Sequence, residues 1–214
     1  MNRLKGIVLT LAMAILFSVT VWAADKTFQE SDVEYSADEQ METEDMAMQA
    51  KVYHAPGKER REQDMSGMQQ IMIMRRDKSV VWMLMPDQKM YMEMKMGQGK
   101  EDTADLKDYT IEYSVIGEEV VNGINTTKNK VIMTDKKGNK FGGFMWVSKE
   151  GIMVKMDTVS KVEGSKMRVK MERKNIKIEN QNPKLFEIPS GYNKMSMPGM
   201  GGGFNMQDMM KGME

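Results

Sequence analysis

Methionine accounts for 28 of the 214 residues, and its spacing is the feature with the most chemistry in it. A thioether is a soft, uncharged ligand suited to Cu(I) and related ions. It is also an unbranched, polarizable apolar group that accepts partners of variable shape. In Lys89-Met90-Tyr91-Met92-Glu93-Met94-Lys95-Met96 every even position is Met, so a strand would carry all four on one face. With Asp77-Lys78 and Asp87-Gln88 as two-residue hairpin loops, Met72 falls opposite Met83, and Met83 opposite Met92. Met74, Val81 and Met94 make the next row, and Gln70, Met85 and Met90 a third. The spacing therefore predicts one patch of Met72, Met74, Val81, Met83, Met85, Met90, Met92 and Met94, a seat for an acyl chain or another lipid-like ligand. The alternative is a filled core in which Met stands in for Leu. The reverse face would hold Ile73, Trp82 and Glu93 in one row and Ile71, Leu84 and Tyr91 in another. It is half apolar and is expected to be covered in part.

A second use of thioethers, soft-metal binding, points to Met195, Met197, Met200, Met206, Met209 and Met210, with a smaller cluster at Met41, Met46 and Met48. A third is reversible oxidation to sulfoxide, which would buffer oxidants. Other chemistries have little support, and the chain is expected to be neither an enzyme nor a cofactor binder. There is no cysteine, hence no thiol or disulfide chemistry. His54 is the single histidine and precedes Pro56-Gly57, where a surface residue at a hairpin end is expected rather than a general base. No nucleophile-elbow motif surrounds any Ser or Thr. Glu42, Glu44 and Asp45 have no second carboxylate cluster to work with. The glycines of 199–203 lack the Lys-Ser/Thr and the leading strand of a phosphate loop.

The elements that must position the methionines read as consecutive hairpins. Turn signals recur at Pro56-Gly57, Ser66-Gly67, Asp77-Lys78, Asp87-Gln88, Asn122-Gly123, Gly138-Asn139, Glu150-Gly151 and Glu163-Gly164. Asn-Gly is the strongest, because a type I′ turn needs positive φ at both central positions. Tyr109, Ile111, Tyr113 and Val115 alternate with Thr110, Glu112 and Ser114; Ile152, Val154 and Met156 with Met153, Lys155 and Asp157; and Met167, Val169 and Met171 with Lys166, Arg168 and Lys170. The alternation changes parity near Arg173, which indicates a bulge. Residues 97–108 read as a crossover with a short helix from Asp102 to Asp108, and 36–46 as either a helix or a first strand. The class is mainly β: one strongly curved antiparallel sheet with a wet face and an apolar face, plus one or two short helices. Beyond Tyr192 the Gly, Pro and Met of 193–214 have no sustained period, and that tail is expected to be disordered.

The first 24 residues have the form of a cleaved secretory leader: Arg3 and Lys5, an apolar run from Ile7 to Val21, then Trp22-Ala23-Ala24. With no cysteine to carry a lipid anchor, the mature protein, with a single domain over 25–192, is expected in the periplasm. Loss of Arg3 and Lys5 leaves 29 basic against 31 acidic residues, a net charge of −2. Residues 25–50 hold nine acids and one Lys, whereas 128–177 hold fourteen Lys or Arg and five acids. Export argues against nucleic acid as the partner of that basic half. Solvated strand faces, or transient contact with a membrane surface or an envelope protein, account for it.

Several short motifs together resemble a known group. They are Lys51-Val52-Tyr53 through Pro56-Gly57-Lys58 and Arg60-Arg61, then Ile73-Met74-Arg75-Arg76-Asp77-Lys78, Val81-Trp82-Met83-Leu84-Met85-Pro86 and Tyr91-Met92-Glu93. Gly117-Glu118-Glu119-Val120-Val121-Asn122-Gly123 and Leu185-Phe186-Glu187-Ile188-Pro189-Ser190-Gly191-Tyr192 follow in order. This series, roughly 50–192, is similar to the periplasmic family called domain of unknown function 4412, which in turn resembles the lipoprotein-sorting proteins LolA and LolB. The resemblance implies a half-barrel whose concave face is closed by short helices and receives acyl chains, of a lipid or a lipoprotein. The acidic start and the Met-rich tail depart from the pattern.

Overall fold

The structure, a computed structural model, describes residues 30–44, 46–65, 67–96, 109–135, 138, 140–162 and 165–195. Eleven strands follow one another: β1 (Tyr35–Glu42), β2 (Ala47–Ala55), β3 (Lys58–Met65), β4 (Met68–Arg75), β5 (Val80–Met85), β6 (Met90–Lys95), β7 (Tyr109–Val121), β8 (Ile124–Asp135), β9 (Lys140–Ser148), β10 (Met153–Val162) and β11 (Ser165–Ile178). A two-residue β12 (Asn193–Lys194) ends the set. All belong to one open, curved sheet in the order β12-β6-β5-β4-β3-β2-β1-β11-β10-β9-β8-β7. Two meanders, β1 to β6 and β7 to β11, thus run outward from a seam where β1 pairs with β11. Every pairing is antiparallel except β12 on β6.

The turns follow the residues that license them. Asn122 and Gly123 both have positive φ, 52° and 78°, as the Asn-Gly hairpin requires. The loops around Asp77-Lys78 and Asp87-Gln88 differ from the two-residue form expected. Each is a four-residue connection, a 3₁₀ turn (Arg76–Lys78, Pro86–Gln88) closed by a left-handed residue, Ser79 or Lys89. Lengthening a loop by one residue on each side leaves the register unchanged, and Met72 does pair with Met83, and Met83 with Met92. The bulge expected near Arg173 lies where Ser36 pairs Lys177 and Asp38 pairs Lys174, with Asn175 at φ 52°. Residues 35–42 form a strand rather than a helix. In place of short helices the described residues contain only 3₁₀ turns, the third at Pro183–Phe186, where the Asn182 side chain accepts from Lys184 N. The expected helix at 102–108 lies outside the described residues.

Both faces of the sheet carry core, and the half-apolar reverse face of β4, β5 and β6 is covered, as its rows predict, rather than wet throughout. Ile71, Ile73, Trp82 and Leu84 are buried on the face of β4 and β5 that points away from the Met patch, with Tyr91 of β6 half-buried beside them. A strap, residues 183–195, covers them with Phe186, Leu185, Ile188 and Tyr192. Two arginines hold that strap. Arg60 Nη1 donates to Leu185 O at 3.1 Å, and Arg75 Nη1 to Phe186 O at 3.0 Å. Arg75 also forms a two-bond pair with Asp77, at 2.8 and 2.7 Å, and an ion pair with Glu187. Burial alone would raise the Glu187 carboxyl, but the hydrogen bonds from Arg75 and Lys78 outweigh it and hold its pKa below the usual range.

Candidate functional site

Alternate residues share a face, and the pairings carry each face from strand to strand. Met72, Met83 and Met92, one from each of β4, β5 and β6, form a buried row. Val81, Met85, Met94 and Met195 pack around it, half-buried. Gln70 Nε2 donates to Met83 Sδ at 3.1 Å. Met74 and Met90 lie on the same face by register, Met74 paired to Val81 and Met90 to Met85, but they stand outside this cluster. Met74 is nonetheless buried, opposite Glu59 of β3.

Met195 reaches the row because the strap rounds the sheet edge. Asn193 N donates to Lys89 O at 2.9 Å and Met195 N to Tyr91 O at 2.8 Å. The strap thereby puts aromatic and aliphatic residues on one face and a thioether on the other. Of the tail methionines expected to bind metal, Met195 belongs to this cluster, and Met197, Met200, Met206, Met209 and Met210 lie outside the described residues.

A longer row crosses the β1–β11 seam. Met48, Met41, Met171, Met156 and Met145 are successive cross-strand partners on β2, β1, β11, β10 and β9. They share the face of Met72, because Ala37 pairs Val52, Val52 pairs Arg61 and Arg61 pairs Met72. Met133, Phe141, Val131 and Val169 extend the cluster, with Met153 and Met167 packed against it. One methionine face thus runs across the sheet, interrupted at β3.

The interruption is electrostatic. On this face β3 presents Glu59, Arg61 and Gln63. Arg61 pairs with Glu39 at 2.8 Å and with Glu59 at 2.8 Å, and Arg173 of β11 pairs with Glu39 at 2.9 Å and approaches Glu59 at 3.9 Å. All four side chains are no more than 6% exposed. Two cations and two anions leave the group neutral, which makes burial tolerable. Burial alone would raise the Glu59 carboxyl, but Arg61 and Arg173 prevail and lower it to about 2. Arg173 Nη1 donates to Tyr35 Oη at 2.6 Å, and burial pushes the Tyr35 hydroxyl up to about 12.

His54 is not the surface residue expected. It is 3% exposed and stacks on Tyr35 at 4.8 Å between ring centroids, with Nε2 3.0 Å from Ser31 O. The segment before β1, whose Ser31 Oγ also donates to Glu150 O at 2.7 Å, folds over this end of the face. That cover comes from residues remote from the Pro56-Gly57 turn beside His54. The signal available in the sequence was β3 itself: Lys58 to Asp64 contains no apolar residue, so a central position demands that its inward charges be paired.

Where the two methionine rows meet, Glu39, Met41, Met48, Ala50, Arg61, Gln63 and Met72 line a cavity of about 20 Å³. That holds a single water rather than an acyl chain. Among the described residues no cluster of His, Asp or Glu is arranged to hold a metal ion.

The arrangement defines a class: an open, curved sheet of two antiparallel meanders with a thioether-lined face and a C-terminal strap that adds one short parallel strand at one edge. The chain belongs to the family described as domain of unknown function (DUF4412), which matches residues 36–165. No curated protein matches it in sequence. Among solved structures it is similar to an uncharacterized conserved protein from Thermus thermophilus, at 13% identity and a TM-score of 0.52, over 77% of this chain and 90% of that one. It is also similar to the lipoprotein LppX of Mycobacterium tuberculosis, at 12% identity and a TM-score of 0.39 over 85% and 98% of the two chains. A Vibrio parahaemolyticus protein described as a "putative outer membrane lipoprotein-sorting protein domain" gives 11% identity and a TM-score of 0.34 over 85% and 96%. At 13% identity the likeness to the Thermus thermophilus protein concerns the fold alone.

Proposed function

We propose that the protein binds an apolar or amphipathic ligand, an acyl chain or lipid, on its methionine face, and serves as a carrier in the periplasm rather than as an enzyme. One observation carries this reading. The Met72–Met83–Met92 row is closed by Met195, from a strap whose only strand pairing among the described residues is the two residues of β12. Unbranched thioethers change rotamer at low cost and suit a guest of variable shape better than a fixed core of Leu and Val would. The small cavity beside Met72 means that an acyl chain enters only when Met195 and neighbouring side chains move aside. Elsewhere on the face Asn129 Oδ1 and Ser160 Oγ are buried and have no hydrogen-bond partner among the described residues. Such groups call for one, and the head of an amphipathic ligand would supply it.

The test is titration with 11-(dansylamino)undecanoic acid, read as blue-shifted, saturable fluorescence. Met85→Glu and Met94→Glu alter half-buried positions at the rim of the row, so the sheet survives and its circular dichroism is unchanged. Each should weaken uptake at least tenfold, since a carboxylate in an apolar site is strongly disfavoured. Absence of saturable uptake by the unaltered protein, or full uptake by both variants, overturns the assignment.

A further inference from the structure

The two edges of the sheet are treated differently. At one, β12 and the strap cover β6. At the other stands β7, thirteen residues long, paired on one side only, with β8. Among the described residues no other backbone group bonds to it. A free row of N–H and C=O groups is a template for another strand, and proteins usually blunt it with Lys or Pro. β7 contains neither. It exposes Val115, Ile116 and Val120 at 55%, 53% and 65%. A register shift between Val115 and Gly117 leaves Ile116 as the extra residue of a bulge.

Charge decides what fits there. β7 carries Glu112, Glu118 and Glu119 and no cation. Glu119 is engaged: it accepts from Trp146 Nε1 at 2.9 Å and pairs with Lys128 at 3.4 Å. Glu112 and Glu118 are exposed and have no ion pair among the described residues. A second copy of β7 added antiparallel about Val115 and Ile116 would set Glu112 against Glu118 or Glu119. Directly opposed like charges destabilise a strand pair, so the edge disfavours self-association. We propose that β7 is a docking edge for an extended segment of a partner protein, β-branched in character and carrying Lys or Arg. The bulge refines the requirement. Glu112 pairs Ile132 and Glu118 pairs Thr127, positions of opposite parity on β8, so the two carboxylates lie on opposite faces. The partner segment therefore needs a basic side chain on each of its own faces.

Fluorescein-labelled nonapeptides of alternating Val and Thr, with Lys at the second and seventh positions, meet that requirement; a Glu-bearing peptide and an N-methylated Lys peptide serve as controls. Anisotropy at low ionic strength should show the Lys peptide binding at least tenfold more tightly than the Glu peptide. The order should reverse for the Glu112→Lys/Glu118→Lys protein, whose exposed substitutions spare the fold. N-methylation of alternate amides should abolish binding, because the ladder is lost. Equal binding of both peptides, binding that survives N-methylation, no binding of the Lys peptide, or light scattering that shows a β7-dependent dimer of the unaltered protein would each overturn the proposal. Uptake of the dansylated fatty acid should be unchanged by the double substitution, which separates this edge from the methionine face.

Discussion

Replacing Arg173 with Met leaves Glu39 and Glu59 facing a single cation, Arg61, in a group whose members are at most 6% exposed. Removing one partner from a buried ion pair costs about 3–5 kcal/mol, a large share of the roughly 5–15 kcal/mol that holds a typical domain folded. Tyr35 Oη loses its guanidinium donor as well. Adding Glu39→Gln restores neutrality, so the double variant should be more stable than the sum of the single losses, by roughly 1–3 kcal/mol, the scale of coupling between contacting residues. Urea unfolding at pH 7, followed by tryptophan fluorescence, reads both numbers. The pH dependence supplies a sign. In the unaltered protein Glu59 is held near 2, below its ordinary 4.5. Its contribution, roughly 3 kcal/mol at 1.36 kcal/mol per unit, is present above the ordinary value and disappears as pH falls from 4.5 toward 2. In the Arg173→Met protein one carboxylate is surplus, its folded-state pKa moves up, and mild acid should stabilise rather than destabilise. A loss under about 1 kcal/mol, strict additivity in the double variant, or the same acid response in both proteins would refute the account of the ion quartet.

Two further outcomes are expected. Phe186→Ala opens the covered face opposite the methionines and should cost about 3–5 kcal/mol, with limited proteolysis now cutting first within the strap. Gly143→Ala should lower thermal stability by an amount equivalent to roughly 1–3 kcal/mol or more, because a Cβ there would meet Asp157 O at 2.1 Å and Thr158 Cα at 2.7 Å; an unchanged melting temperature would contradict this packing.

Legibility followed distance along the chain. The register of β4, β5 and β6 could be read because short loops fix which residues sum to a pair, and Met72, Met83 and Met92 fell into line even though the loops are longer than expected. The bulge opposite Ser36 was visible as a change of parity near Arg173. The five-methionine row was not, because it joins Met48 and Met41 to Met171, Met156 and Met145 through the β1–β11 seam, and no local pattern predicts that pairing. The same seam hid the ion quartet, whose Glu39 and Arg173 are 134 positions apart. The burial of His54 is hidden for a related reason: its cover comes from Ser31 and from Tyr35, its partner on β1, rather than from the Pro56-Gly57 turn that it borders.

The central position of β1 and β11 also orders assembly. Each meander can zip up from neighbouring hairpins, whereas joining them must close a loop of more than about a hundred residues, the slowest kind of contact to make. A chain that emerges N-terminus first would hold β1 with half of its pairing surface idle, and Glu39 waiting for its second guanidinium, until β11 arrives. The last strand of the long run is therefore also the one that locks both halves, and hydrogen exchange captured during refolding should find the amides shared by β1 and β11 protected after those of the β4–β5 hairpin.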